Sequence, residues 1–131
     1  MTFAVILFAH GSKDPLWSRP IEAVAARVAA LAPDLPVRCA YLENTAPDLA
    51  TVVQELSGAG LRRIRILPLF LGVGRHARQD LPEMVRSQAA LHPELQLELQ
   101  PSVGEHPMLV DLLARIALSE GEAAPSIDRN S

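Results

Sequence analysis

The sequence predicts a single α/β domain built on an open parallel sheet, in the order βαβαβαβα. Three observations carry this. An unbroken apolar run, Phe3-Ala4-Val5-Ile6-Leu7-Phe8-Ala9, opens the chain and ends at His10-Gly11-Ser12. Such a run, closed by a turn signal, reads as a central strand buried on both faces. Apolar stretches of strand length then alternate with stretches of helical periodicity. The chain of 131 residues suits one domain with a substantial core.

The first strand is the apolar run itself. Trp17, Ile21, Val24, Val28 and Leu31 recur at helical spacing, so a helix begins near Ser18 with Pro20 in its first turn. Pro33-Asp34-Leu35-Pro36 ends it. Val37 to Leu42 forms the second strand and closes on Glu43-Asn44. Thr45-Ala46-Pro47-Asp48 reads as the next helix start, with Thr45 as hydroxyl cap. Leu49, Val52, Val53 and Leu56 give that helix its inner face.

Ile64 to Leu71 is the third strand, nearly all apolar and therefore central, with Pro68 near its end. A loop follows, Gly72-Val73-Gly74-Arg75-His76-Ala77-Arg78-Gln79. Asp80, with Glu83 three residues on and Pro82 between, predicts the start of the third helix. Leu95, Leu97 and Leu99 alternate with polar residues, the pattern of an edge strand. Pro101 to Pro107 leads to a last helix with Leu109, Leu112, Leu113 and Ile116 on one face. The domain spans residues 1–119, and residues 120–131 are expected to be a disordered tail.

With the first and third strands central, the strand order is 2-1-3-4, with helices on both faces. The winding direction then reverses between strands one and three, and a crevice opens at their carboxyl ends.

The totals exclude several functions. A formal charge of −3 argues against a nucleic-acid binder with a broad basic face. No apolar run approaches the ~20 residues that span a bilayer. The N-terminus reads without the basic start and cleavage site of a signal peptide, so a cytoplasmic location is expected. The single cysteine, Cys39, reads as a small buried hydrophobe. No GxGxxG or Walker-type loop follows a strand, so no nucleotide is expected. No GxSxG elbow is present. A histidine phosphatase would place an arginine where Ala9 stands. A receiver domain would need acids where His10-Gly11-Ser12 stands.

The strand exits carry the chemistry. His10 follows the first strand, Glu43 the second, His76 the third and His106 the fourth. Three of the four histidines therefore share one rim, and His92 falls on the other. Two imidazoles and a carboxylate suit a divalent metal, and they also suit proton abstraction near neutral pH. Plainer roles stand beside each: His10 as a strand-end hydrogen-bonding group, Glu43 as a solvated acid, His76 as an exposed loop residue, His106 as a helix cap. Arg75 and Arg78 are either solvated or placed to receive substrate carboxylates.

Phe8-Ala9-His10-Gly11-Ser12, Tyr41-Leu42-Glu43 with Pro47, Pro68-Leu69-Phe70-Leu71 with Gly74, His76 and Asp80, and Gly104-Glu105-His106-Pro107 together resemble the small class II chelatases. These are the sirohydrochlorin cobalt-, nickel- or iron-chelatase type. The resemblance covers about residues 3 to 118. It implies a chelatase-like, flavodoxin-related fold and ATP-independent insertion of a divalent metal into a tetrapyrrole, as in cobalamin or siroheme synthesis. The metal-binding and proton-accepting residues fall on His10, His76 and Glu43. Ser12, Lys13, Arg75, Arg78 and His106 are the expected substrate contacts. The metal is substrate, the other partner is the tetrapyrrole, and chains of this length resemble units that pair as homodimers. A metal-binding carrier without turnover is the alternative on the same ligands.

Overall fold

A computed structural model describes residues 3–120. Four parallel strands form one sheet in the order β2-β1-β3-β4, as the sequence predicts. The elements are β1 (Phe3–Ala9), α1 (Arg19–Leu31), β2 (Val37–Tyr41), α2 (Leu49–Gly58), β3 (Arg63–Pro68), α3 (Arg75–Leu91), β4 (Gln96–Leu99) and α4 (Pro107–Leu118), with a short 3-10 helix, Val103–Glu105, before α4. Of the tail expected at 120–131, all but Glu120 lies outside the described residues.

β1 pairs with β2 on one side and β3 on the other, with Leu7 opposite Cys39 and Leu67. One face of the sheet holds the core. Ala4, Ile6 and Phe8 pack there with Ala40, Ile64 and Ile66, beneath Leu49, Val52, Val53 and Leu56 of α2 and Leu81 and Val85 of α3. α1 lies on the other face, against β2 and β1.

That second face is thinly covered. No residue of α1 or α4 is buried. The expected inner faces of both helices are instead partly open, with Val24 and Leu31 exposed on α1 and Leu112, Leu113 and Ile116 exposed on α4. Just before α1, Trp17 stands edge-on to Tyr41, ring centres 6.2 Å apart. α4 makes its principal contact with the 3-10 helix before it. Between α4 and the sheet runs a groove of about 910 Å³, bounded by Leu67, Gln100, Leu109 and Leu112. β3 is central but not wholly apolar, because Arg63 and Arg65 stand on the thin face. They sit over the Phe3 ring at 5.6 and 4.6 Å and share Glu98 at 2.7 and 3.5 Å. The Arg63 hydrogen bond holds the Glu98 carboxyl below its usual range.

Four local expectations need correction. β3 stops at Pro68 rather than Leu71; Pro68 has no N–H to donate, and the Leu69 amide donates to the Phe8 carbonyl instead (2.7 Å). α3 starts at Arg75, not Asp80, because extended Gly74 serves as its N-cap. Pro82 therefore lies inside the helix, where it withholds the bond that the Arg78 carbonyl would accept. α2 is capped by Asp48, which accepts from the Thr51 amide at 2.9 Å; the Thr45 hydroxyl is engaged elsewhere. Cys39 is half-buried and free, and burial pushes its thiol up. The same partial burial, with Cys39 beside it, raises Tyr41 to about 12.

Hydrogen bonds from Thr51 hold the Asp48 carboxyl below its usual value. A lowered folded-state value means stabilisation that is present above the ordinary aspartate range and lost as pH falls through the folded value. Asp48→Ala is expected to lower stability at neutral pH by about 1 kcal/mol in urea unfolding. Asp48→Asn, which keeps the cap without the charge, should hold most of that stability and flatten this part of the acid dependence.

Candidate functional site

The sheet register builds the site. Ala9 stands opposite Tyr41, and the pairing continues past both strands: the Leu42 amide donates to the Ala9 carbonyl (2.9 Å) and the Glu43 amide to the His10 carbonyl (3.0 Å). His10 and Glu43 are thus carried side by side to the carboxyl edge. Their side chains meet, Nε2 to Oε1 at 3.0 Å, with each side chain 56% exposed. At this distance the imidazole nitrogen and the carboxylate oxygen are directly hydrogen-bonded to each other.

Glycine makes this approach possible. Gly11 has φ +97°, and a Cβ there would overlap the Glu43 carbonyl oxygen. Phe70 forms the inner wall, edge-on to His10 (6.5 Å) and to Phe8 (6.2 Å). Phe70 is in turn held from behind, its carbonyl accepting from the Gly104 amide at 3.1 Å. Gly104 lies so close to the Leu71 carbonyl that it too has no room for a side chain.

A cavity of about 340 Å³ opens at this edge, bounded among others by His10, Phe70, Arg75, His76, Asp80 and Met84. His76 is the second residue of α3 rather than a loop residue. The structure therefore brings His10, Glu43 and His76 to one rim, with His10 and Glu43 in contact and His76 on the cavity wall. Among the described residues, no three His, Cys, Asp or Glu side chains already stand close enough to enclose an ion.

The other expected contacts divide. Arg75 lines the cavity, and Arg78 is exposed in the same helical turn, outside the lining. These two guanidinium groups in the first turn of α3 oppose the helix dipole, which favours anions there. Lys13 is exposed. The Ser12 hydroxyl accepts from the Asp14 amide at 3.1 Å. His106 lies away from this cavity: it caps α4, Nδ1 accepting from the Met108 amide at 3.1 Å, and lines the groove beneath that helix. Sequence reasoning missed Phe70 as a wall and took Asp80 for a cap. The spacing of His76 and Asp80, four residues apart, was a usable signal once both are placed on one helix.

The fold and site define a class: an open parallel α/β protein with an imidazole–carboxylate pair at the carboxyl edge of its sheet, beside the topological switch point. A family model described as CbiX matches residues 4–119, and the chain belongs to that family. It is 25% identical over 122 residues to the sirohydrochlorin cobaltochelatase of Methanococcoides burtonii, covering 87% of this chain and 93% of the relative. It resembles the crystal structure of a putative cobalamin biosynthesis CbiX protein from Marinobacter aquaeolei VT8, with TM-score 0.77, 31% identity, and coverage of 88% of this chain and 93% of that one. It shares its fold with the sirohydrochlorin chelatase SirB from Bacillus subtilis subspecies spizizenii, solved in complex with cobalt (TM-score 0.69, 23% identity); 89% of this chain matches 50% of the SirB chain.

Gly11→Ala is expected to destabilise the protein by more than ~1 kcal/mol, since alanine fits neither the positive φ nor the space. Thermal melting checks the loss. In the variant, the separation of His10 and Glu43 in a crystal structure should exceed 3.0 Å.

Proposed function

We propose that this protein is a metal chelatase that inserts a divalent ion into sirohydrochlorin without ATP. The observation that carries the reading is the His10–Glu43 contact at the rim of a cavity that His76 also lines, in a chain of the CbiX family.

The chemistry follows from what insertion requires. The ion must be captured yet released, so its protein ligands must leave coordination positions open to pyrrole nitrogens. Two imidazoles and one carboxylate do so, whereas four protein ligands close a site. Cobalt, nickel and iron(II) all suit imidazole and carboxylate donors. Each ion that enters displaces two pyrrole N–H protons. Glu43 and whichever imidazole is free of the ion lie at the rim to accept them. Phe70, Leu42 and Met84 offer an apolar wall to the flat macrocycle. Arg75 and Arg78 offer paired donors to its peripheral carboxylates, and the N-terminus of α3 adds its dipole.

A second copy completes the proposal. The cavity of about 340 Å³ is near the lower limit for drug-sized ligands, and a tetrapyrrole is larger. The ring therefore projects beyond one chain; homodimerisation is a separate part of the proposal, through a face outside this cavity. α4 supplies an apolar face for pairing, with Met108, Val110, Leu112 and Ile116 all more than half exposed. This chain matches 50% of the SirB chain, which leaves length there for a second unit of similar size. A cytoplasmic location belongs to the proposal; no helix among the described residues is long and apolar enough to cross a membrane.

His10→Ala and His76→Ala should each lower the insertion rate by roughly a hundredfold or more while circular dichroism stays native. The assay follows the absorbance of metal-free sirohydrochlorin with cobalt, nickel or iron(II) and protein in trace amount. Many turnovers per chain support a chelatase. Metallation that stops at one equivalent points to a carrier. For assembly, Leu112→Asp with Ile116→Asp should convert a dimer to a monomer in sedimentation; a wild-type monomer would remove the homodimer from the reading.

A further inference from the structure

We infer that Thr45 is a positioning residue for the reacting pair: its hydroxyl sets the spacing of His10 and Glu43 by clamping the loop after β1 to the loop after β2. The inference rests on the roles given above to those two side chains.

One hydroxyl makes both bonds of the clamp. Thr45 Oγ1 accepts from the Ser12 amide at 3.0 Å and donates to the Ser12 carbonyl at 2.9 Å. The Thr45 amide also donates to the Glu43 carbonyl at 2.8 Å, the same oxygen that faces Gly11. Thr45 therefore holds both loops, its side chain on one and its own backbone in the other. It is half-buried and lies outside the cavity lining, so it acts through its neighbours.

The position of the clamp gives it its effect. The β1–β2 pairing ends with the bond from the Glu43 amide to the His10 carbonyl. Immediately beyond, Gly11 turns at positive φ and Asn44 does the same on the facing loop, at φ 61°. Two loops that both turn just past the ladder would part without a tie. Thr45 ties them two residues beyond the reacting pair, so His10 and Glu43 are fixed between the last ladder bond on one side and the clamp on the other. Their side chains are largely exposed, and packing alone does not fix their separation. A site that must present two groups at a fixed spacing gains from such support, because misplacement of about 1 Å costs up to ~100-fold in rate.

The test compares Thr45→Val, which keeps shape and loses the hydroxyl, with Thr45→Ser, which keeps the hydroxyl, and with His10→Ala. All are assayed for cobalt insertion well below their melting temperatures. Thr45→Val is expected to lower kcat roughly 10- to 100-fold with KM for sirohydrochlorin unchanged, and Thr45→Ser to restore kcat to within about threefold of wild type. A role in folding alone would lower the melting temperature and leave kcat of the folded protein at the wild-type value. That outcome, with His10→Ala inactive, overturns the clamp and leaves the reacting pair standing. An active His10→Ala overturns the pair itself. Should Thr45→Val not fold, Thr45→Cys keeps the volume and weakens both bonds; an intermediate kcat supports the clamp, and wild-type kcat overturns it.

Discussion

Two hydrogen bonds beyond the end of the β1–β2 ladder organise this protein. They run from the Leu42 amide to Ala9 and from the Glu43 amide to His10, and they extend parallel pairing into what would otherwise be two independent loops. The His10–Glu43 contact at the rim depends on this extension. It sets an imidazole against a carboxylate without asking either side chain to be buried. The ladder itself is anchored by Ile6, Leu7 and Phe8, all essentially inaccessible to solvent, so exposed chemistry rests on a rigid strand.

The opposite wall is built on a different principle. Arg75 and Arg78 flank His76 in the first turn of α3, where the helix dipole disfavours each guanidinium by about 0.3–1 kcal/mol. Local stability does not account for that placement; the anion-bearing substrate of the proposed function would. The segment before the helix is fixed by close backbone approach, through Gly104 against Leu71 and its bond to Phe70. Phe70 then touches His10. The two halves of the site are thus joined through one aromatic ring.

Much of this was legible in the residues. The continuous run of β1 read as a strand covered on both faces, which holds from Ile6 to Ala9 while Phe3 and Val5 are half-buried, and strand order followed from which runs were most apolar. His10, Glu43 and His76 were found by topology, because exits of parallel strands share an edge. What was not legible has physical reasons. Pro82 and the Asp80–Glu83 pair form a strong local helix-start signal, yet the extended backbone of Gly74 caps α3 earlier in the chain. Thr45 looks like a cap, and only the fold shows that Ser12 lies within its reach. The apolar stripes of α1 and α4 read as buried faces, since periodicity reports that a face is apolar and not what covers it. His106 has the same rim address as the other histidines, but its ring caps α4.

The thin second face is where the proposed pairing would form: β3 places Arg63 and Arg65 there while α4 presents aliphatic side chains outward. The central claim concerns geometry at the other end of the sheet: that one ion is held by imidazoles from both walls. Cobalt K-edge X-ray absorption on the cobalt-loaded protein tests it most directly. The account predicts scattering from two imidazole rings, falling to one in either single histidine variant. A spectrum without imidazole scattering, or one that neither variant alters, would contradict it.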